Sequence, residues 1–330
     1  MAGVASNGVY FSVRGTHNSV ITTATTAASA DAATADAVAV TDQTRATDYD
    51  GDGKADVAVY RPSTGTWAIL QSSTSYASSV TMTLGASTDV PVPGDYDGDG
   101  KTDIAVYRPA TGGWSILTSS SSFKSAITHV LGGPSATAAP GDYDGDGKTD
   151  IAVFAASTGT WTILTSSSNY SQTMTVTVGG TGDVPVTGDF DGDGKTDIGL
   201  YTPSTGQWNI LTSSSNYTTS LTSTWGTSSD IPVPGDYDGD GKTDIAVYRP
   251  STGAWLIETS SSSFASKLRY SLGGGDDVPV VGDFDGDGQT DVAVFNPSSG
   301  TWSVLLSSAD YASGATMTLG AAGDIQLPRP

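Results

Sequence analysis

The sequence predicts an all-β fold assembled from repeated small sheets, and three observations predict it. The chain repeats itself: Asp48, Asp95, Asp142, Asp189, Asp236 and Asp283 each open a loop of the form D-x-D-G-D-G-x-x-D, and every step between them is 47 residues. Trp67, Trp114, Trp161, Trp208, Trp255 and Trp302 keep the same step, and so do Tyr76, Phe123, Tyr170, Tyr217, Phe264 and Tyr311. A fixed period of this size marks a solenoid, an array or a propeller. Each unit also contains four short β-branched or aromatic runs bounded by Gly, Pro, Asn, Asp and Ser. Finally, Glu258 is the only Glu among 35 acidic residues; Asp favours turns, whereas helices use Glu freely.

The second unit shows the elements in order. Residues 89–93 (DVPVP) lead into the acidic loop and residues 103–107 (DIAVY) leave it. A turn at 109–113 precedes the run 114–118 (WSILT), a Ser-rich loop ends at Phe123, and residues 126–131 (AITHVL) close on Gly132. Ile104 and Val106 lie on one face of their strand, Ala105 and Tyr107 on the other. A sheet that is apolar on both faces must be packed between other sheets. Four-stranded units sandwiched by their neighbours describe the blades of a β-propeller.

Repeats start near residues 42, 89, 136, 183, 230 and 277. The ends suggest how the ring closes. Residues 323–328 (GDIQLP) match the first strand of a unit, residues 6–13 resemble 63–70, and residues 19–25 resemble 79–84. The expectation is one domain over residues 1–330, a seven-bladed β-propeller. In it, residues 323–330 and 1–25 share the seventh blade and leave no open sheet edge. Residues 26–46, rich in Ala and Thr, receive no assignment.

Composition excludes several functions. With 14 Lys and Arg the formal charge is -21, so nucleic acid and anionic membranes are poor partners. There is no Cys, which removes disulfides, thiolate metal sites and cysteine nucleophiles. No apolar run approaches the roughly 18 residues of a membrane span, and the first residues, MAGVASNGVYFSV, show no signal peptide. Few Lys and abundant Ser, Thr and Gly nevertheless point to a secreted or surface protein, with its leader trimmed, and a monomer.

The aspartates point to a metal. Counting Asp236 as position one puts Asp238, Asp240 and Asp244 at three, five and nine, with Gly241 at six allowing a sharp bend. Alternating carboxylates in such a turn converge on a hard cation, and six to eight oxygens suit calcium. Lys242, at seven, would add its backbone carbonyl and leave its side chain pointing outward. The same positions elsewhere are Asp48, Asp50, Asp52, Asp56 with Lys54; Asp95, Asp97, Asp99, Asp103 with Lys101; and Asp142, Asp144, Asp146, Asp150 with Lys148. The set is completed by Asp189, Asp191, Asp193, Asp197 with Lys195 and by Asp283, Asp285, Asp287, Asp291 with Gln289. About six calcium ions are expected. An EF-hand begins the same way but needs a Glu at position twelve, where this loop has Val247 inside a strand. Simple Asp-Gly turns are the alternative, yet they leave four crowded carboxylates without a counter-ion.

The unit resembles the FG-GAP/VCBS repeat of integrin α propellers, Psathyrella velutina-type lectins and many bacterial secreted proteins. The resemblance is strong from Thr47 to about Gly320. It implies a seven-bladed propeller with calcium in one hairpin loop per blade, held by the four Asp and the seventh residue's carbonyl, and one metal-free blade.

Chemistry beyond metal binding has few candidates. His17 and His129 are the only histidines and neither has metal-type spacing; calcium would keep the paired carboxylates from proton transfer. A non-catalytic binding role is expected, with glycans as the ligand. Tyr76, Phe123, Tyr170, Tyr217, Phe264 and Tyr311 lie beside Ser, Thr and Asn, the setting for stacking on a sugar ring; the competing reading packs each ring onto the next blade. Arg61, Arg108 and Arg249 occupy a position that varies between copies (Ala155, Thr202, Asn296), as a solvent-facing specificity site would. An integrin-type protein-interaction module, with an extracellular protein partner, and the propeller of a polysaccharide lyase are the alternatives.

Overall fold

A computed structural model describes residues 47–328, together with the backbone strands Gly8–Ser12, Asn18–Thr23 and Val40–Thr41. Repeats two to six each form a four-stranded antiparallel blade in consecutive order. In blade two, Val90–Pro91, Ile104–Arg108, Gly113–Leu117 and Ala126–Val130 pair in register, with Ile104 opposite Leu117 and Tyr107 opposite Trp114. Burial grades outward along each blade as the apolar pattern requires. The second strand is buried on both faces, as at Ile104–Arg108; the third alternates around its Trp, and the fourth exposes every other residue.

The core lies between blades. Ala58 and Tyr60 pack with Ile104 and Val106 of blade two, while Val57 and Val59, on the opposite face, pack with Phe295 and Trp302 of the last blade. Every blade repeats this arrangement. Each Trp of the series is at most 1 % exposed and lies against the aromatic ring opposite it on the second strand, at 5.0–5.4 Å between centroids. Such offset ring pairs add to the large area each indole buries.

The blade count is six, not the seven expected. One repeat step beyond Val278–Gly282, the strand Ile325–Leu327 does not begin a further blade. It pairs antiparallel with Val57–Arg61, Ile325 opposite Tyr60, and becomes the inner strand of blade one. The strands Gly8–Ser12 and Asn18–Thr23 form an antiparallel pair added to the outer edge of blade six, against Gly314–Thr318. The terminal segments thus meet different blades and do not share one. Val40–Thr41 runs parallel beside Val184–Gly188 in blade four; the rest of residues 26–46 lies outside the described residues. The physical reason is that Ile325–Leu327 finds on blade one the same unpaired strand edge that Val90–Pro91 finds on Ile104–Arg108, and covering it closes the ring.

A second ring of bonds fixes the blades to one another. The backbone N–H at position eight of each acidic loop donates to the carbonyl of position one in the preceding loop, at 2.6–2.8 Å. The donors are Thr102, Thr149, Thr196, Thr243 and Thr290 in turn, and Ala55 closes the circle onto Asp283. All six acidic loops lead directly into the second strand of their blade, so they stand at one end of the ring. There they surround a cavity of about 510 Å3 lined by Asp48, Gly51, Gly100, Asp236, Lys242 and Asp283, among others.

Candidate metal-binding loops

Each acidic loop is folded by its own carboxylates. The position-one Asp caps the turn: in the first loop Asp48 Oδ1 accepts from the N–H of Gly51 and Oδ2 from that of Gly53. Gly51 and Gly53 have φ of +83° and +86°, which L side chains rarely adopt. The position-nine Asp is the innermost. Asp56 is fully buried, and its Oδ2 accepts from the N–H of Tyr49.

The remaining partners come from the Ser-rich loop between the third and fourth strands. Ser72 donates its N–H and its hydroxyl to Asp56 Oδ1 and also reaches Asp52 Oδ1, while the Ser73 hydroxyl donates to Asp50 Oδ2 at 2.6 Å. In blade four Ser213 and Ser214 do the same for Asp193, Asp197 and Asp191. The signal was in the repeat: a Ser-Ser pair stands 16 and 17 residues after the ninth position in every copy.

The carboxylates fit a divalent cation. Oxygens from Asp48, Asp50 and Asp56 lie within 4.8 Å of one another, as do those of Asp95, Asp97 and Asp99, and equivalent groups form in the other loops. Asp50, Asp191 and Asp238 each keep a buried Oδ1 with no hydrogen-bond partner, an acceptor suited to an ion. Burial pushes Asp56, Asp244 and Asp291 up to about 7, and Asp103, Asp150 and Asp197 to about 6, against the serine and backbone donors that lower them. Burial likewise raises Asp48, Asp95, Asp142, Asp189 and Asp283, opposed by the glycine N–H groups. Carboxylates desolvated in this way and crowded by like charges are suited to a positive ion in place of protons.

The seventh residue does not point outward as expected. Lys101 crosses to the preceding loop and donates to the carbonyl of Asp50 at 2.8 Å; Lys54 does so to Asp285 and Lys242 to Asp191. Its stem lies across the fourth-position glycine, so tightly that a Cβ on Gly51 would stand 2.8 Å from Lys101 Cε. That glycine is required by the neighbouring blade as well as by its own φ.

The residues proposed for sugar stacking are placed elsewhere. Tyr76, Tyr170, Tyr217 and Tyr311 are 6–9 % exposed. The Tyr170 hydroxyl donates to the carbonyls of Tyr96, in the preceding loop, and Thr149, in its own; Tyr76, Tyr217 and Tyr311 do likewise. They staple adjacent blades. Phe123 and Phe264 lack the hydroxyl and are half-buried against the same neighbours. The variable arginines are paired and not free: Arg61, Arg108 and Arg249 each form a two-pronged bond, at 2.6–2.8 Å, with Asp324, Asp89 and Asp230. Thr202 and Asn296 bond the equivalent Asp183 and Asp277, and only Ala155 faces a changed partner, Ala136. His129 packs on Tyr170 at 4.8 Å, and burial lowers its pKa. His17 lies outside the described residues.

Trp225, Glu258 and Lys267, which depart from the repeat, meet between blades four and five. Trp225 donates to the carbonyl of Leu256 and has Lys267 Nζ 4.0 Å above its ring. Glu258, where other copies have Leu, accepts from Ser223 of blade four and pairs with Lys267. Beside them runs a groove of about 570 Å3 lined by Phe264, Lys242, Thr222, Ser223, Ser260 and Ser263, among others.

The FG-GAP-like repeat matches residues 48–106, 95–153, 142–200, 189–247 and 236–294, and the FG-GAP repeat matches residues 277–315. No curated protein sequence gives a significant match. Among solved structures, an Agrocybe aegerita lectin that recognises non-reducing terminal N-acetylglucosamine superimposes with a TM-score of 0.55 at 13 % identity, covering 82 % of this chain and 78 % of the lectin. A streptogramin B lyase gives 0.52 at 10 % identity, over 87 % of this chain and 84 % of the lyase. At such identities the likeness is one of fold.

Proposed function

Because the chain belongs to the FG-GAP-like repeat family, we propose that it is a secreted, monomeric, non-catalytic propeller stabilised by calcium in its six acidic loops and built to bind carbohydrate. The observation that carries the calcium reading is the convergence of carboxylate oxygens within 4.8 Å in loop after loop, some with no other partner. The four Asp of each loop would hold the ion, with the seventh residue's carbonyl, and its charge would offset their mutual repulsion. Identical ions in every blade suit a staple better than a reaction centre.

The candidate carbohydrate site is the groove between blades four and five, not the loop tyrosines. There Phe264 offers a ring, and Thr222 and Ser263 offer hydroxyls beside it. An apolar ring beside convergent polar groups is the make-up of a sugar site. The fold shared with an N-acetylglucosamine-recognising lectin is consistent with that use.

A glycan array in millimolar calcium, repeated in EGTA, tests both parts. Binding to a defined sugar set that falls at least tenfold in Phe264→Ala supports the reading. A blank array on folded protein would transfer it to a protein-interaction module, and turnover of a uronic-acid polymer would make the chain an enzyme.

A further inference from the structure

In five of the six loops, the residue lying across the fourth-position glycine is a lysine from the next blade. Lys101 covers Gly51, Lys148 covers Gly98, Lys195 covers Gly145, Lys242 covers Gly192 and Lys54 covers Gly286. The exception is Gly239, in the loop Asp236–Asp244, which is covered by Gln289 with its Cγ and Cδ 2.9 Å from where a Cβ would stand. The shape of the contact is kept and the charge is removed. Asp238 in that loop keeps a buried, unpartnered Oδ1, as do Asp50 and Asp191 in lysine-faced loops, so the loops differ in the facing charge and not in this acceptor.

We infer that the seventh residue of each blade sets the cation affinity of the preceding blade's loop, and that the loop at residues 236–244, faced by Gln289, is the tightest of the six. This rests on the calcium reading above. An ammonium held against the loop backbone, as Lys101 Nζ is at the Asp50 carbonyl, partly neutralises the ion-free carboxylates and repels an arriving divalent ion. Both effects weaken binding. Removing one such positive charge from beside a divalent ion strengthens binding by about tenfold even where water screens the pair fully. The lysines thus act on the neighbouring site and not on their own, where only the backbone of the seventh residue faces the ion.

The test is calcium titration of the chelator-stripped protein by isothermal calorimetry, with circular dichroism confirming that each variant is folded. The wild type should show one tight site and a weaker class. Gln289→Lys should abolish the tight class, Asp240→Asn should delete it, and Lys101→Gln should create a second tight site, at Asp48–Asp56. Six equivalent sites in the wild type, or a tight class that survives Gln289→Lys, would overturn the inference while leaving the calcium reading standing. No calcium uptake by the wild type would overturn both.

Discussion

Arg61 and Asp324 face each other through two parallel hydrogen bonds of 2.7 Å, Nε to Oδ1 and Nη2 to Oδ2, across 263 residues of sequence. The Asp324 side chain is 1 % exposed and the Arg61 side chain 24 %. The same pair, separated by only 19 residues, forms within blades two and five. Blade one borrows from the far end of the chain what other blades find in their own repeat.

Removing one partner of a buried, forked pair leaves the other charge unmatched, at about 3 kcal/mol. Asp324→Ala should therefore lower the urea midpoint well beyond Asp230→Ala, whose inner strand is tethered by its own repeat. Equal losses in the two variants would show that the pair contributes nothing special to closure.

Tyr170→Phe removes a hydroxyl that bridges two blades and should cost about 1–2 kcal/mol in thermal or urea unfolding. Phe264→Tyr makes the reverse change, placing a hydroxyl within reach of the corresponding carbonyls of Phe190 and Thr243, and should stabilise by about 1 kcal/mol. Unchanged unfolding in Tyr170→Phe would mean that the ring's packing alone holds the interface.

Acid should stabilise the metal-free ring. Asp56, Asp103 and their equivalents have folded values raised to about 6–7 from an ordinary 3.8. A carboxyl raised in this way supports the folded state fully below its unfolded value and loses that support as pH climbs through the folded one. In EGTA the Tm should fall from pH 5 to pH 8. In millimolar calcium it should rise over the same range, because protons compete with the ion. At neutral pH, calcium should raise the Tm substantially, each loop adding about 2.7 kcal/mol at a hundredfold excess over its dissociation constant. Matching curves with and without chelator would remove calcium from the account.

The repeat, its four strands and its aspartate loops were legible because each rests on local pattern: alternation, turn chemistry and spacing. The blade count was not, because it depends on how many wedges fill a circle and on which edge Ile325–Leu327 covers, and neither is written in any one repeat. The serine pair was readable but disguised, since Ser72 and Ser73 sit among other serines and only their distance from Asp56 marks them. The arginine variation was readable too: Ala155 occurs in the one unit where Ala136 replaces the acidic partner. Tyr170 misled because a loop position suggests exposure, whereas Asn169 and Tyr170 both have positive φ, 54° and 59°, and the chain there turns back toward the neighbouring blade.

The placement of every acidic loop at one end has an electrical consequence. Arg61, Arg108 and Arg249 stand at the far end of the second strands, each neutralised by its aspartate partner, so the ring carries its uncompensated negative charge at the loop pole. A molecule polarised in this way turns as it approaches a charged surface, arriving loop end first at a cationic one. Filling the loops with divalent ions would shrink that dipole moment, making metal loading visible as reduced alignment in an electric field.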